Sequence, residues 1–181
     1  MGVVLIVVLV WAVGTLVLFI RMYRKIEVNQ AIVRNGMGGP MVSFSGMMVV
    51  PVMHEATIVD VGPKRLEVIR NEDRPVVSQD QIAFVMKVSL DVRVNRNEED
   101  VLMAIHTYGA ENLGSEEKLL NKLEPYLMEA VEAVASRLPL ETIRSQREEF
   151  RDLVLKTIGV EFSGLLIDDL AISELQQVGP A

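Results

Sequence analysis

The chain contains no cysteine among its 181 residues. Disulfide bonds, thiolate zinc sites and palmitoylated thiols are therefore excluded, and the composition agrees with a reducing compartment. Stability has to come from a packed core instead. The 161 residues after position 20 are long enough to form one or two compact domains with such cores.

Histidine is scarce as well, which limits metal chemistry. His54 and His106 are the two histidines, and neither has another histidine at ligand spacing. Short acidic clusters occur at 98–100, 116–117, 148–149 and 168–169. Three of these clusters lie where helix starts or solvated helix faces favour carboxylates. We therefore expect no metal site and no cofactor.

Catalytic motifs are also missing from the sequence. The glycine-rich stretch 36–40 lacks the strand-to-helix context and the lysine of a phosphate cradle, so it predicts a turn. None of the serines is surrounded by a nucleophile-elbow motif. A pairing of a serine with a distant lysine or histidine stays open at this stage. We expect a protein that is not an enzyme.

Basic residues are too few to give the chain a positive surface. Its 18 lysines and arginines face 25 acidic residues, the net charge is -7, and all of these charged residues follow position 20. Such a surface argues against nucleic acid as a partner and against broad adhesion to anionic lipid. The exception is a short basic cluster, Arg21, Arg24 and Lys25, which either contacts lipid headgroups or acts as a topology signal alone.

Charged side chains are absent from the first 20 residues, which form the strongest signal of the chain. The uncharged run from Val3 to Ile20 has 18 residues and as a helix would span about 27 Å, close to the roughly 30 Å of a bilayer core. In lipid the backbone must satisfy its hydrogen bonds internally, so we predict a helical anchor over 1–20. We single out as membrane-anchor residues Val3, Leu9, Trp11, Leu16 and Ile20.

Two alternatives to a permanent anchor are a cleaved secretory signal and a buried core helix. No basic residue precedes the run and no small-x-small pair follows it, which disfavours the signal.

The basic cluster lies on the C-terminal flank of the run, whereas only the α-amino group is positive on the N-terminal side. We therefore expect a single-pass protein of the cell membrane with the bulk of the chain in the cytoplasm.

Residues 21–95 have a sequence pattern typical of β-strands. Short apolar runs separated by turn-rich stretches recur at 31–33, 47–53 and 57–61. In the clearest strand, apolar residues occupy every second position from Ile82 to Val94, which places seven side chains on one buried face. Such a strand is long, so a bend or bulge along it is expected.

After residue 95 the hydrophobic period becomes helical. Asn97 followed by three carboxylates predicts a short helix that Gly109 ends. A second helix should begin near Ser115, with a kink or a fresh start at Pro125. Its apolar stripe is Leu120, Leu123, Leu127, Val131, Val134 and Leu138.

A third helix is predicted from Leu140 to Ile158, stopped by Gly159. The stretch 160–172 should be extended again, with a break at Gly164. A β-rich half followed by a helix-rich half predicts the α+β class. The predicted domains are the anchor (1–20), a β-rich subdomain (21–95) and a helical subdomain with a final strand (96–181).

Methionines are concentrated between the anchor and the long strand, at Met37, Met41, Met47, Met48 and Met53. Methionine is an adaptable filler of irregular gaps, and a β core is its ordinary location. The alternative follows from the nearby anchor: apolar loop tips can face the lipid interface. In that alternative Met37, Met47 and Met48 form a lipid-facing loop.

The order of these parts resembles the SPFH superfamily, also called band 7, which contains stomatins, prohibitins, flotillins and bacterial regulators of a membrane protease. The resemblance is to bacterial flotillin-like proteins in particular. The stretches that carry it behind the anchor are IEVNQAIVRNG at 26–36, Ser78-Gln79-Asp80 leading into the long strand, RSQREEF at 144–150 and IDDL at 167–170.

The resemblance implies a transmembrane helix followed by an SPFH domain. It also implies a non-catalytic membrane scaffold that oligomerises and organises membrane microdomains and their proteins. The implied partners are the lipid bilayer, further copies of the chain and other integral membrane proteins. Flotillin-like proteins continue into a long coiled coil, whereas this sequence stops at Ala181, so we expect a fragment or a short natural form.

Two other functions stay open. The chain is alternatively an adaptor or regulator that binds a membrane protease or another integral membrane protein. A membrane-tethered hydrolase is the third hypothesis.

Overall fold

The computed structural model describes residues 1–36, 38–50, 54–159 and 161–179. It has a mixed α+β fold with an apolar helix at the N-terminus, which confirms the predicted class. The chain forms two compact units, Met1–Asp60 and Val61–Ala181. The predicted domain boundary near residue 95 stays a prediction.

The first unit, named the anchor unit, consists of a long helix followed by short antiparallel strands. Its elements are α1 Gly2–Met22, β1 Tyr23–Arg24, β2 Gln30–Gly36, β3 Met41–Ser43, β4 Met47–Met48 and β5 His54–Asp60. Strand β1 pairs with β4, while β2 lies between β3 and β5 in a second sheet. The apolar run at 31–33 lies in a strand, β2, as predicted, and its side chains are buried.

The second unit, named the sheet unit, is built on an antiparallel sheet covered by helices. Its strands are β6 Lys64–Arg70, β7 Val76–Val77, β8 Ala83–Val94, β9 Glu161–Phe162 and β10 Leu165–Gln177. The order across the sheet is β6-β8-β10-β9, and β7 pairs with the start of β8. Strand β8 is therefore central, with partners along both of its edges.

Strand β8 follows the predicted period of two. Its even-numbered side chains from Phe84 to Val94 are buried, whereas Ile82 precedes the strand and is half-buried. The irregularity predicted along this strand lies in its partner β10, where extra residues after Ile167 and Ser173 shift the register. Packing constrains the central strand along its whole length, so the strand nearer the sheet edge accommodates the bulges.

Helices connect β8 to β9, and they are α2 Glu98–Tyr108, α3 Ala110–Leu113, α4 Glu116–Ala135, α5 Leu140–Ser145 and α6 Arg147–Ile158. Helix α2 starts at the predicted cap, because the Asn97 side-chain oxygen accepts the Asp100 N–H at 2.8 Å. Ser115 caps α4 in the same way. Helix α4 packs against β6 and β7, and α6 packs against α4 and β10.

Details of the predicted helices need correction. Leu119 is buried and Leu120 only half-buried, so the apolar stripe of α4 begins one residue earlier than predicted. Helix α4 continues through Pro125, which rules out a fresh helix start there. The helix predicted over 140–158 is two helices, because Gln146 adopts φ −121° and ψ 53° and ends α5.

Asp80, just before β8, caps the distant helix α5. The Ser78 hydroxyl donates to the Asp80 carboxylate, and Asp80 Oδ1 accepts the Leu140 N–H at 3.3 Å. Pro139 at the N-cap position supplies no side-chain cap of its own. Asp80 therefore satisfies a helix-start N–H that would otherwise lack a partner.

We expect Asp80→Asn to lower the free energy of unfolding at pH 7 and to weaken its acid dependence. The hydrogen bonds from Ser78 and from the Leu140 N–H lower the pKa of the Asp80 carboxyl from its ordinary value of 3.8. Because the pKa is lower in the folded chain than in the unfolded chain, the ionised carboxyl stabilises the fold at pH values above the unfolded-state pKa. This stabilisation is lost as the pH falls through the folded-state pKa. Urea unfolding of the full chain in mild detergent, at pH 7 and pH 3, measures the difference.

Asp73→Asn, in an exposed turn, is the matched control and should leave stability nearly unchanged. The prediction would be contradicted if the free energies of unfolding of Asp80→Asn and the parent chain differed by the same amount at pH 7 and pH 3.

Candidate membrane-facing site

Helix α1 is long and apolar enough to cross a bilayer. Its 21 residues correspond to about 31 Å, and its 18-residue window has a mean hydropathy of 3.1 with none of the window buried. The predicted anchor residues Val3, Leu9, Trp11, Leu16 and Ile20 are all exposed on it. In the described part of the chain, nothing covers this apolar surface, so it needs an apolar environment from outside the chain.

The helix also satisfies the side-chain hydroxyl that it carries. Thr15 carries the hydroxyl group of α1, and this hydroxyl donates back to the backbone oxygen of Trp11 one turn earlier. A hydroxyl bonded within the helix does not expose an unpaired donor to hydrocarbon. Both the composition and the hydrogen bonding of α1 therefore suit lipid.

The three predicted basic residues lie at the C-terminal end of α1. Arg21 is in the last turn of the helix, Arg24 is in β1 and Lys25 follows it, and all three are exposed. Cations at this end also complement the negative end of the helix dipole. The structure thus places a positive band where α1 ends.

Strand pairing brings two of the predicted methionines to the same place. Tyr23 pairs with Met48 and Arg24 pairs with Met47, so β4 lies directly beside the exit of α1. The Val49 N–H donates to the Met22 oxygen at 2.9 Å and closes this junction. Met37, the third predicted lipid-facing residue, lies outside the described residues.

Gly46 makes the close approach of β4 to β1 possible. Its φ is +126°, and a Cβ at this position would lie 2.7 Å from the Arg24 oxygen. Only glycine adopts this conformation and leaves that space free. The position of the two methionines therefore depends on the glycine that precedes them.

An exposed apolar patch surrounds this junction, and we name Tyr23, Arg34, Met41 and Met48 the exit patch. Tyr23, Met41 and Met48 are 49%, 49% and 43% exposed. The Arg34 guanidinium donates to the Met48 oxygen at 3.2 Å and lies 2.9 Å from Met41 Sδ, which connects β2, β3 and β4. Tyrosine and arginine are side chains that favour the headgroup level of a bilayer.

Of the four residues of the exit patch, sequence reasoning named Met48 as a lipid-facing candidate, and it did not name Met41, Tyr23 or Arg34 in that role. For Tyr23 a signal was present, since aromatic residues are enriched where a transmembrane helix leaves the hydrocarbon core. Arg34 gave no signal, because its contacts depend on strand pairing between residues distant in sequence.

The histidines and a buried tyrosine take part in turns and packing. His54 is the first residue of β5, and its Nδ1 accepts the Val50 N–H at 3.3 Å; His106 lies in the last turn of α2. Burial raises the pKa of Tyr108 to about 12, and its hydroxyl donates to the Phe162 oxygen at 3.4 Å. Across the described ranges, no group of three His, Asp or Glu side chains could hold a metal ion.

A polar cleft of about 460 Å³ lies at the end of β6 in the sheet unit. Arg70, Glu72, Asp73 and Glu174 line it together with amide and apolar side chains. Its described lining contains no serine, threonine, lysine or histidine, so it lacks the usual pairing of a nucleophile with a base.

Comparisons of the sequence with known proteins find a family and two relatives. A sequence profile described as SPFH domain / Band 7 family covers residues 24–178. The flotillin family inner membrane protein YqiK of Escherichia coli (strain K12) is 29% identical over 164 residues, covering 89% of this chain and 30% of that protein. The flotillin family inner membrane protein sll1021 of Synechocystis sp. is 28% identical over 181 residues, covering 97% of this chain and 27% of that protein. This chain spans less than a third of either relative.

Proposed function

The chain belongs to the SPFH domain / Band 7 family, and we propose that within this family it is a membrane-anchored, flotillin-like scaffold. The observation that carries the proposal is the uncovered apolar helix α1 directly ahead of the family domain. Both relatives are described as flotillin family inner membrane proteins, which supports a bilayer as the first partner. The resemblance found in the sequence is thereby confirmed at the level of the family.

The proposed topology is a single pass with the C-terminal bulk in the cytoplasm. Its support is the basic cluster, because Arg21, Arg24 and Lys25 directly follow the uncharged run of α1. The exit patch then lies at the cytoplasmic headgroup level. There Met48 and Met41 reach toward the acyl chains, and Arg34 contacts anionic headgroups.

The proposed role is structural and needs no cofactor. Copies of the chain assemble with one another in the plane of the membrane and thereby organise neighbouring lipids and integral membrane proteins. The alternative is an adaptor that restrains a single integral partner such as a membrane protease. The two roles differ in the number of copies held together, which can be measured.

The mass of the full chain extracted in mild detergent tests the scaffold. We expect a particle of many subunits by light scattering after the detergent contribution is subtracted, because a scaffold needs repeated self-contacts. The matched control is the same chain in a strong, dissociating detergent, which should give the mass of one copy. A monomer or dimer in mild detergent would overturn the scaffold and favour the adaptor.

A further inference from the structure

The sheet of the sheet unit has β6 at one side, and β10 with the short strand β9 at the other side. Strand β6 is last on one side, and on the other side β9 covers only Leu165 and Leu166 of β10. Within the described chain, no strand pairs with the outer edge of β6 or with the rest of the outer edge of β10. Unpaired N–H and C=O groups along such an edge are a template for another strand.

Each edge strand has a five-residue segment with regular pairing, and the two segments lie opposite the same residues of β8. Residues 65–69 of β6 and 169–173 of β10 both pair with residues 87–91 of β8 without a register shift. The bulges of β10 fall on either side of its segment. Since β6 and β10 are both antiparallel to β8, they run in the same direction, and a rotated second copy can place its β6 parallel to β10.

The charges of the two edge strands are complementary. Strand β6 contains three basic residues and one acidic residue, whereas β10 contains three acidic residues and no basic one. Lys64 is buried and Arg70 forms an ion pair with Glu124, so Arg65 is the exposed cation of β6. Two β10 edges would repel each other through the exposed carboxylates of Asp169 and Glu174. Pairing of unlike edges is favoured by the same charges.

One row of side chains specifies the register of this pairing. Arg65 of β6 pairs with Asp91 of β8, which pairs with Asp169 of β10. The Arg65 guanidinium donates two hydrogen bonds of 2.7 Å to the Asp91 carboxylate. Asp169 is exposed and, among the described side chains, has no cation within ion-pair distance. The row therefore holds two carboxylates and one guanidinium.

We propose that the β6 edge of one copy pairs in register with the β10 edge of the next copy, so that one sheet continues through neighbouring copies. The Arg65 guanidinium of the second copy then lies beside Asp169 and neutralises the second carboxylate of the row. Ile69, which is 55% exposed on β6, becomes covered by the neighbouring β10. The proposal rests on the scaffold function and names the surface through which the scaffold assembles.

The anchor restricts the symmetry of this contact. All copies enter the bilayer in the same direction, so they are related by rotation about the membrane normal. A contact between two different edges is head-to-tail, and it closes into a ring or continues as an arc.

Engineered cysteines test the pairing in membranes that contain the full chain, where the absence of natural cysteine removes any background. Glu67 and Ala171 lie on opposite sides of Ser89. Within one copy they are separated by two strand spacings, roughly 10 Å, which is too far for a disulfide. In the proposed register they are one spacing apart, about 4.8 Å, and a disulfide can form.

The double variant E67C/A171C, treated with a mild oxidant, is expected to give a ladder of dimers, trimers and larger species on a non-reducing gel. The matched control E67C/Q177C carries its second cysteine on the same strand but roughly 20 Å further along, and should give no ladder. Adding D169R should lower the crosslinked fraction about two- to five-fold, and adding R65D as well should restore it.

Light scattering on the same samples separates the two proposals. If the chain forms large particles but E67C/A171C gives no ladder, the edge pairing is overturned and the scaffold function still holds. Monomers without a ladder would overturn both. A ladder of equal strength from E67C/Q177C would show random collision and would also overturn the edge pairing.

Discussion

The double variant Leu9→Arg with Leu16→Arg is expected to move the chain from the membrane pellet to the soluble fraction. Both leucines are exposed on α1, where lipid is the proposed neighbour. An arginine near the centre of a transmembrane helix costs roughly 3 kcal/mol relative to a neutral residue, and each lost leucine adds about 0.5 kcal/mol. The two changes together amount to roughly 7 kcal/mol, which is about a hundred-thousand-fold in partitioning.

The measurement is extraction of membranes with alkaline carbonate followed by centrifugation and detection of the chain. Leu9→Ala with Leu16→Ala is the control, since it removes the same side chains without adding charge and should stay in the pellet. Retention of the double-arginine variant in the pellet would mean that α1 is not what holds the chain to the membrane.

Gly164→Ala is expected to destabilise the sheet unit by about 2–5 kcal/mol. Ser163 and Gly164 form the two-residue turn between β9 and β10, with φ of 49° and 86°, the signs of a type I′ turn. A Cβ on Gly164 would lie 2.2 Å from the Asp100 oxygen and 3.0 Å from the Ala104 nitrogen. These are backbone atoms of α2, so the clash adds to the strain of a positive φ.

Substitutions at two other glycines distinguish the cost of the steric clash from the cost of a positive φ. Gly109 also has a positive φ, 87°, but its nearest contact would be 3.5 Å, so Gly109→Ala should cost only about 1–2 kcal/mol. Gly114 has φ −78° and a nearest contact of 3.6 Å, so Gly114→Ala should change stability by less than about 0.5 kcal/mol. Urea unfolding in mild detergent measures all three, and equal losses for Gly164→Ala and Gly109→Ala would contradict the steric argument.

Much of the fold follows from local signals in the sequence. The caps at Asn97 and Ser115 and the stop at Gly159 are set by a few adjacent residues, and the structure contains all three. The period of β8 is a similarly local property. The break at Gln146 was missed because the predicted helix combined two segments whose apolar residues continue across it.

The candidate site was less predictable, for a physical reason. The run that forms α1 is evident from composition, but β1 and β4 have two residues each, too few to show any period. Their pairing depends on Gly46 and on contacts distant in sequence. The position of Met47 and Met48 beside the helix exit therefore follows only from the three-dimensional arrangement.

The direct passage of α1 into β1 also affects the entropy of association. No residue separates the helix from the strand, and the Val49 N–H bond to the Met22 oxygen restrains the joint, so β1 and β4 cannot swivel freely about the end of α1. Free proteins in solution lose about 4–15 kcal/mol of translational and rotational freedom when they associate. A chain confined to a plane has given up part of that freedom before it meets a neighbour. In the proposed scaffold, edge contacts that would be too weak in solution could therefore hold in the bilayer and still let copies exchange.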